Sequence, residues 1–446
     1  MRTFTLIWFG QLISTLGTYM TFFALTLWIW DATNSATAIA LVGVFSRLPK
    51  IPTTLFAGPM VDRFNRKYLM LLGDITSALT TVAICFLYLT QQLQIWHLYG
   101  AVILTGGFGQ IQTLAYQASV SLMVPKQQYT RTSSMTAVVH YGSNILGPAL
   151  AGILYPLVGL SGILAVDLFT FTIAFVTLLV APIPQPKKQT GARQLVNNKV
   201  ESKQLTNKIE PRQLVHEFTL GFAYVWRQPS LKALLLVTVV FKFAHDLGAA
   251  LYSPMILART NGSAPALASI SAIAGAGGVV GAIVITIWGG PKRRIHGMFA
   301  GYIGAGLSKM FFGLGQSLVV WLPAQVCSSL NFPLIGSTRR ALWMDKIAHH
   351  VQGRVFAAND LMIQIASAGA VLLAGPLADR LLEPAMMPGK PLASWLSIIF
   401  GNGPGAGMGV LYSLCALIMV VTGITGFFIP SLRAIETPPN SLPKIG

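Results

Sequence analysis

Repeated apolar runs of about 20 residues, parted by short polar turns, most narrow what this chain can fold into. A helix needs about 20 mostly apolar residues to cross the hydrocarbon core of a bilayer. Runs of that kind lie at 5–30, 37–59, 69–90, 98–123, 134–157, 160–182, 232–256, 265–289, 298–315, 318–337, 356–378 and 408–429. They predict an all-α membrane protein with 12 transmembrane helices. Gly313, Gly315, Pro323 and Pro333 interrupt the stretch 298–337, so its division into two spans rests on those breaks. The first run, Phe4 to Trp30, is too long for a signal-peptide core and is followed by many more, so it is read as a retained span. Charge agrees: 10% of the 446 residues are Asp, Glu, Lys or Arg, against about 25% in soluble domains. Cys85, Cys327 and Cys415 all sit inside apolar runs and read as small core residues, without disulfide or metal spacing.

The bases fix an orientation. Alternate loops carry Arg63, Arg66 and Lys67; Lys126 and Arg131; Lys292, Arg293 and Arg294; and Arg339, Arg340, Lys346 and Arg354. The tails add Arg2, Arg433 and Lys444, while the intervening loops offer little beyond Arg259, Arg380 and Lys390. Cytoplasmic loops are the Lys- and Arg-rich ones, so both termini are expected in the cytoplasm of a multi-pass plasma- or inner-membrane protein. The formal charge of +18 is then a topological signal, not a nucleic-acid footprint.

Residues 184–230 differ from the rest. Pro184, Pro186, Lys187 and Lys188 open a polar stretch that runs to Glu210. It reads as a flexible cytoplasmic linker. From Gln213 the pattern changes, and Leu214, Phe218, Gly221, Phe222 and Val225 share a helical face. That face suits either the inner membrane surface or packing against the spans. The expected domains are therefore 1–183, the linker 184–230, 231–430 and a tail 431–446, with six spans in each large unit. Gly58-Pro59 at the end of span 2 has a counterpart in Gly290-Pro291 at the end of span 8. Gly147-Pro148 to Gly152 in span 5 parallels Gly375-Pro376 to Arg380 in span 11. Such internal repetition is characteristic of secondary transporters.

The loop Gly58 to Lys67 closely resembles the signature of the major facilitator superfamily, on Gly58, Asp62, Arg63, Arg66 and Lys67. Asn65 stands where that family usually has glycine. Trp8 to Ser14, Gln352 to Phe356 and Gly375 to Asp379 resemble the macrolide-efflux and siderophore-export branch. Gly142, Gly147, Pro148 and Gly152 resemble the span-5 motif of drug antiporters. Four residues part the first two glycines where the motif usually has three. Ordinary close helix packing accounts for the same glycines. The resemblance implies two six-helix bundles around a cavity opened alternately to each side, the major facilitator fold. It implies export of a small amphiphilic compound, in exchange for protons, by a monomer without cofactor or metal. In such proteins the Asp62 loop holds the bundles together on the cytoplasmic side.

Ionisable groups within spans are costly and so mark function. Asp167 is the first candidate for proton coupling and Asp246 the second. A carboxylate in a low-dielectric cavity can take a proton on one side and release it on the other. Lys242 and Asp246, four apart, are placed to pair, which allows a purely structural role. Asp74 is assigned to the charge network of the Asp62 loop. Arg47 and Lys50 share a face around Pro49 and suit an anionic substrate, a lipid phosphate, or a lock between bundles. Gln11, Tyr116, Gln117, His140 and Tyr141 are further cavity candidates. Lys309 is read as able to snorkel to an interface, and Trp28 and Trp30 as an interfacial belt. No phosphate-binding glycine loop or zinc-ligand spacing is present, so the sequence points away from an enzyme. A lipid carrier of the same fold and a membrane sensor stay open as alternatives.

Overall fold

The computed structural model describes residues 2–53, 60–61, 64–125, 129–183, 221–347 and 352–436. Gly58, Asp62 and Arg63 of the basic loop lie outside these residues, as do the linker up to residue 220 and the side chains of His140 and Tyr141. The long helices are α1 (Arg2–Thr33), α2 (Ala36–Arg47), α3 (Arg66–Leu89), α4 (Ile95–Met123) and a run Tyr129–Val180. That run breaks at Gly159, whose φ of 65° favours glycine; its arms, 129–158 and 160–180, are α5 and α6. Then follow α7 (Pro229–Arg259), α8 (Ala264–Trp288), α9 (Arg294–Leu314), α10 (Leu318–Lys346), α11 (Gln352–Pro376) and α12 (Ala406–Phe428). Among the described residues there is no strand. Eight of the helical stretches, one of them Gly142–Val180, are long and apolar enough to cross a membrane.

Local chemistry sets the ends. Ser35 caps α2 by accepting from the Ala38 amide, and Asn65 caps α3 by accepting from the Lys67 amide at 2.9 Å. Gly289, with φ 80°, closes α8. The two bases at the start of α3 bind backbone carbonyls: Arg66 donates to that of Ala118, within α4, at 2.7 Å, and Lys67 Nζ to those of Leu179 and Ala181, at the end of α6, at 2.6 and 3.1 Å. Cations suit helix C-termini, where the dipole is negative. The matching turn before α9 has no acid of its own, and Glu436 from the tail accepts from the Arg294 amide at 2.7 Å.

Helices α1 to α6 pack on one another, as do α7 to α12. The two halves meet along α5 with α8 and along α2 with α11, with lesser contact between α2 and α7. In lipid no hydrophobic drive joins helices, so close approach depends on small residues. Gly10 and Gly17 of α1 abut Thr177 and Thr170 of α6, Gly147 of α5 abuts Tyr19, and Gly152 abuts Ala268 of α8. Gly142, the first glycine of the span-5 motif, has open space beside it. Large apolar side chains left exposed, among them Leu79, Phe86, Leu157, Phe169, Val280 and Ile287, are what a lipid-facing surface requires.

Four sequence expectations change. Trp30 is 6% exposed and belongs to the core, not to an interfacial belt. Lys309 is 7% exposed and donates to the Tyr412 hydroxyl at 3.0 Å, so it does not snorkel. Arg259, expected as a loop base, is partly buried and donates to the carbonyls of Gly313, Gly315, Phe400 and Gly405. Those groups end α9 and a short helix, Pro391–Phe400, that the apolar-run pattern did not predict. Val225, on the expected amphipathic segment, is buried in the core of the second half with Leu231, Leu234 and Phe299; for the described residues 221–227, packing against the spans replaces a membrane-surface position.

Candidate functional site

A cavity of about 410 Å³ lies among the first six helices. Gln11, Ser14, Thr15 and Thr18 come from α1, Asp74, Ser77 and Thr81 from α3, and Gln112, Tyr116 and Gln117 from α4. Lys50 and, from α6, Asp167 add charged groups to its polar lining. Gln11, Lys50, Tyr116, Gln117 and Asp167 were named from sequence as scattered candidates. The fold brings all five to the lining of one cavity.

The two carboxylates are held differently. Asp167 is 7% exposed, and its Oδ2 accepts from the Thr81 hydroxyl at 3.3 Å. Gly17 faces it: a Cβ there would lie 2.8 Å from Asp167 Oδ1. Bare backbone on α1 therefore makes room for the acid on α6. Asp74 is buried, and the Gln112 side-chain amide donates to its Oδ1. Its Oδ2 is buried with no hydrogen-bond partner among the described residues. Asp74 thus lines the cavity; Asp62 and Arg63, the loop charges it was assigned to, lie outside the described residues. It lies two turns inside α3, and helical rotation carries it to the cavity face.

Arg47 and Lys50 are engaged differently. Arg47 leaves the cavity and donates to the Ser367 hydroxyl of α11 at 3.0 Å, joining the two halves. Among the described lining residues Lys50 is the one cation, and Asp74 and Asp167 are the two acids. The cavity is therefore richer in acids and amides than in bases.

The second half holds a smaller cavity of about 280 Å³, lined by Lys242, His245, Tyr302, Arg339, Asp360 and Gln364 among others. Lys242 pairs with Asp246 at 2.6 Å, as their spacing predicted. Phe241 and Phe332 flank His245. Sequence reading passed over Tyr302 and Gln364 and took Arg339 for a cytoplasmic-loop base, because nothing in a single helix shows which faces converge.

The family model of the Major Facilitator Superfamily matches residues 7–371. The chain belongs to the major facilitator superfamily. Among its superfamily relatives, macrolide efflux protein A of Streptococcus pyogenes is 25% identical over 381 residues, covering 85% of this chain and 90% of the relative. The multidrug efflux pump Tap of Mycolicibacterium fortuitum is 21% identical over 450 residues, covering 97% and 96%. Solved structures share the fold. A bacterial homologue of the iron transporter ferroportin in its inward-facing state has a TM-score of 0.66 and 13% identity, covering 95% of this chain and 98% of that one. A POT family transporter in complex with 5-aminolevulinic acid has a TM-score of 0.65 and 14% identity, covering 98% and 97%. This major facilitator is thus a multi-pass membrane transporter, and its cavity is the place to look for cargo.

Proposed function

We propose that this transporter exports a small amphiphilic compound, such as a macrolide, by alternating access, in exchange for protons. The 410 Å³ cavity with two buried carboxylates, Asp74 and Asp167, carries the reading. Amides, hydroxyls and Phe22, Tyr116 and Phe171 line the same space, a mixture suited to a molecule with both polar and apolar faces. The relatives named for macrolide and multidrug efflux support the direction. In this reading residues 1–183 and 231–430 are two six-helix bundles that rock about the cavity. The linker 184–230, the tail 431–446 and both termini lie in the cytoplasm, as the placement of bases suggests. A lipid carrier gains little support. Arg47 is engaged with Ser367, which leaves a phosphate group one cation and two acids on the cavity wall.

Asp167 is the proton carrier of this proposal. One proton entering down one pH unit and 100 mV supplies about 3.7 kcal/mol, enough for a roughly 500-fold substrate gradient. Asp167→Asn keeps the size of the side chain and an oxygen for Thr81, so the fold and the cavity should persist. In everted vesicles given a pH gradient and a labelled macrolide, the variant should accumulate no more label than vesicles treated with an uncoupler. Binding of the macrolide to purified protein should stay within about threefold of the parent. Gradient-driven uptake at the parent level would refute the assignment.

A further inference from the structure

We propose that Asp379 is a latch that holds the two halves shut on the side of the α1–α2 turn, and that every transport cycle must release it. The proposal builds on the alternating-access reading, but its test does not depend on cargo or protons.

Beyond Pro376, α11 continues as a π-helical turn, Leu377–Leu382, a form often found at functional positions. The turn carries Asp379 out of the second half to the first turn of α2, in the first half. There Asp379 Oδ2 accepts from the Ser35 hydroxyl at 2.7 Å, the Thr37 hydroxyl at 2.7 Å and the Thr37 amide at 2.9 Å. Its Oδ1 accepts from the Ala36 amide at 3.2 Å. The first amides of a helix lack partners inside the helix, and the dipole there favours an anion. Asp379 meets both demands from the opposite half. Ser35 joins in twice, since its hydroxyl also accepts from the Ala38 amide at 3.3 Å.

The seam continues inward along the two helices. Gly375 lies against Thr37, where a Cβ would come within 2.8 Å of the threonine hydroxyl oxygen. One turn deeper, Val371 packs with Ala40 and Val44. A mismatch in this register would pull Asp379 away from the helix end.

One turn beyond Asp379, a second acid supplies an internal comparison. Glu383 accepts from the Gly405 amide at 3.2 Å and the Met408 amide at 2.8 Å, and so caps α12. Both α11 and α12 belong to the second half. Rigid rocking that parts the halves on this side must break all four Asp379 bonds while leaving the Glu383 bonds intact. The two acids sit on one segment and do the same chemistry, yet only one of them bridges the moving parts.

The test is the alkylation rate of a cysteine buried in the seam. The full-length chain is made with its three native cysteines replaced by alanine and with Val371→Cys, and whole cells are treated with a membrane-impermeant maleimide. Asp379→Ala should raise the labelling rate at least tenfold, equivalent to about 1.4 kcal/mol of bias. Ser35→Ala with Thr37→Val removes two donors and keeps the acid, and it should raise the rate in the same direction. This second variant serves if Asp379→Ala folds poorly. Glu383→Gln should lower the thermal midpoint without raising labelling. Unchanged labelling in both latch variants would overturn the proposal, as would an equal rise in Glu383→Gln. A rise confined to the latch variants would stand even if proton-driven export proved wrong.

Discussion

Removing one partner of the Lys242–Asp246 pair should cost far more than removing the other. The pair is 2.6 Å long, but its members are unequally buried: the Lys242 side chain is 35% exposed and that of Asp246 only 6%. Lys242→Met strands a buried carboxylate, at about 3–5 kcal/mol. Lys309, another buried cation of that half, donates to the neutral Tyr412 hydroxyl and keeps its charge, which places the loss toward the low end of that range. The carboxylate can escape by binding a proton. Holding an acid of ordinary solution pKa neutral at pH 7 costs about 4 kcal/mol, which caps the loss. Asp246→Asn instead leaves an ammonium a third exposed. It can extend toward water, so after solvent screening the expected loss is about 1 kcal/mol. At pH 5 the cap on Lys242→Met falls to about 1.5 kcal/mol. The sign follows from linkage: the folded variant holds a proton that the unfolded chain releases, so its stability rises as pH falls. Thermal unfolding of purified protein in detergent at pH 7 and pH 5, with parent, both single variants and the double variant, measures all of this. Equal losses for the two single variants, or a Lys242→Met loss that ignores pH, would refute the reasoning. Efflux near the parent level in Lys242→Met/Asp246→Asn would make the pair structural and leave coupling to the first half.

Gly17→Val should be more harmful than an ordinary glycine change in a bundle. Its branches would press on Asp167 and Thr170, and overpacking of that kind costs about 1–3 kcal/mol; a lower thermal midpoint together with weakened macrolide binding is expected, and parental values for both would count against the contact. Asp62→Asn should reduce efflux while leaving membrane insertion intact, if the Gly58 to Lys67 loop biases the equilibrium between the two open states. Parental efflux in cells with equal amounts of inserted protein would rule that role out.

Part of the site was legible before the fold. Gln11, Lys50, Tyr116 and Asp167 drew notice because polar groups within apolar runs are rare and costly, and all four line one cavity. Asp74 drew the same notice and was assigned to the loop network, yet it lines the same cavity. Its position near the start of α3 suggested the loop, while its direction of projection, which a nearly uniform apolar helix does not reveal, was toward Gln112. Arg47 and Lys50 share a face, yet one reaches Ser367 in the opposite half and the other stays on the cavity wall. A difference of three residues along a helix end, where the backbone loosens into a turn at 48–49, was enough to separate them.

The sequence by itself marked the long apolar helices and their order, because the bilayer demands about 20 apolar residues for each crossing. It also parted the runs 134–157 and 160–182, and the break falls between them at Gly159, whose backbone conformation favours glycine. Only the tertiary structure decided which polar groups meet between helices. A lipid-embedded helix can be apolar on every side, so periodicity does not tell its inner face from its outer one. The pairing of Asp379 with the start of α2 joins residues more than 340 positions apart, and no local pattern encodes such a contact. It exists because the helix dipole and unpaired amides of one half come to rest beside a carboxylate of the other.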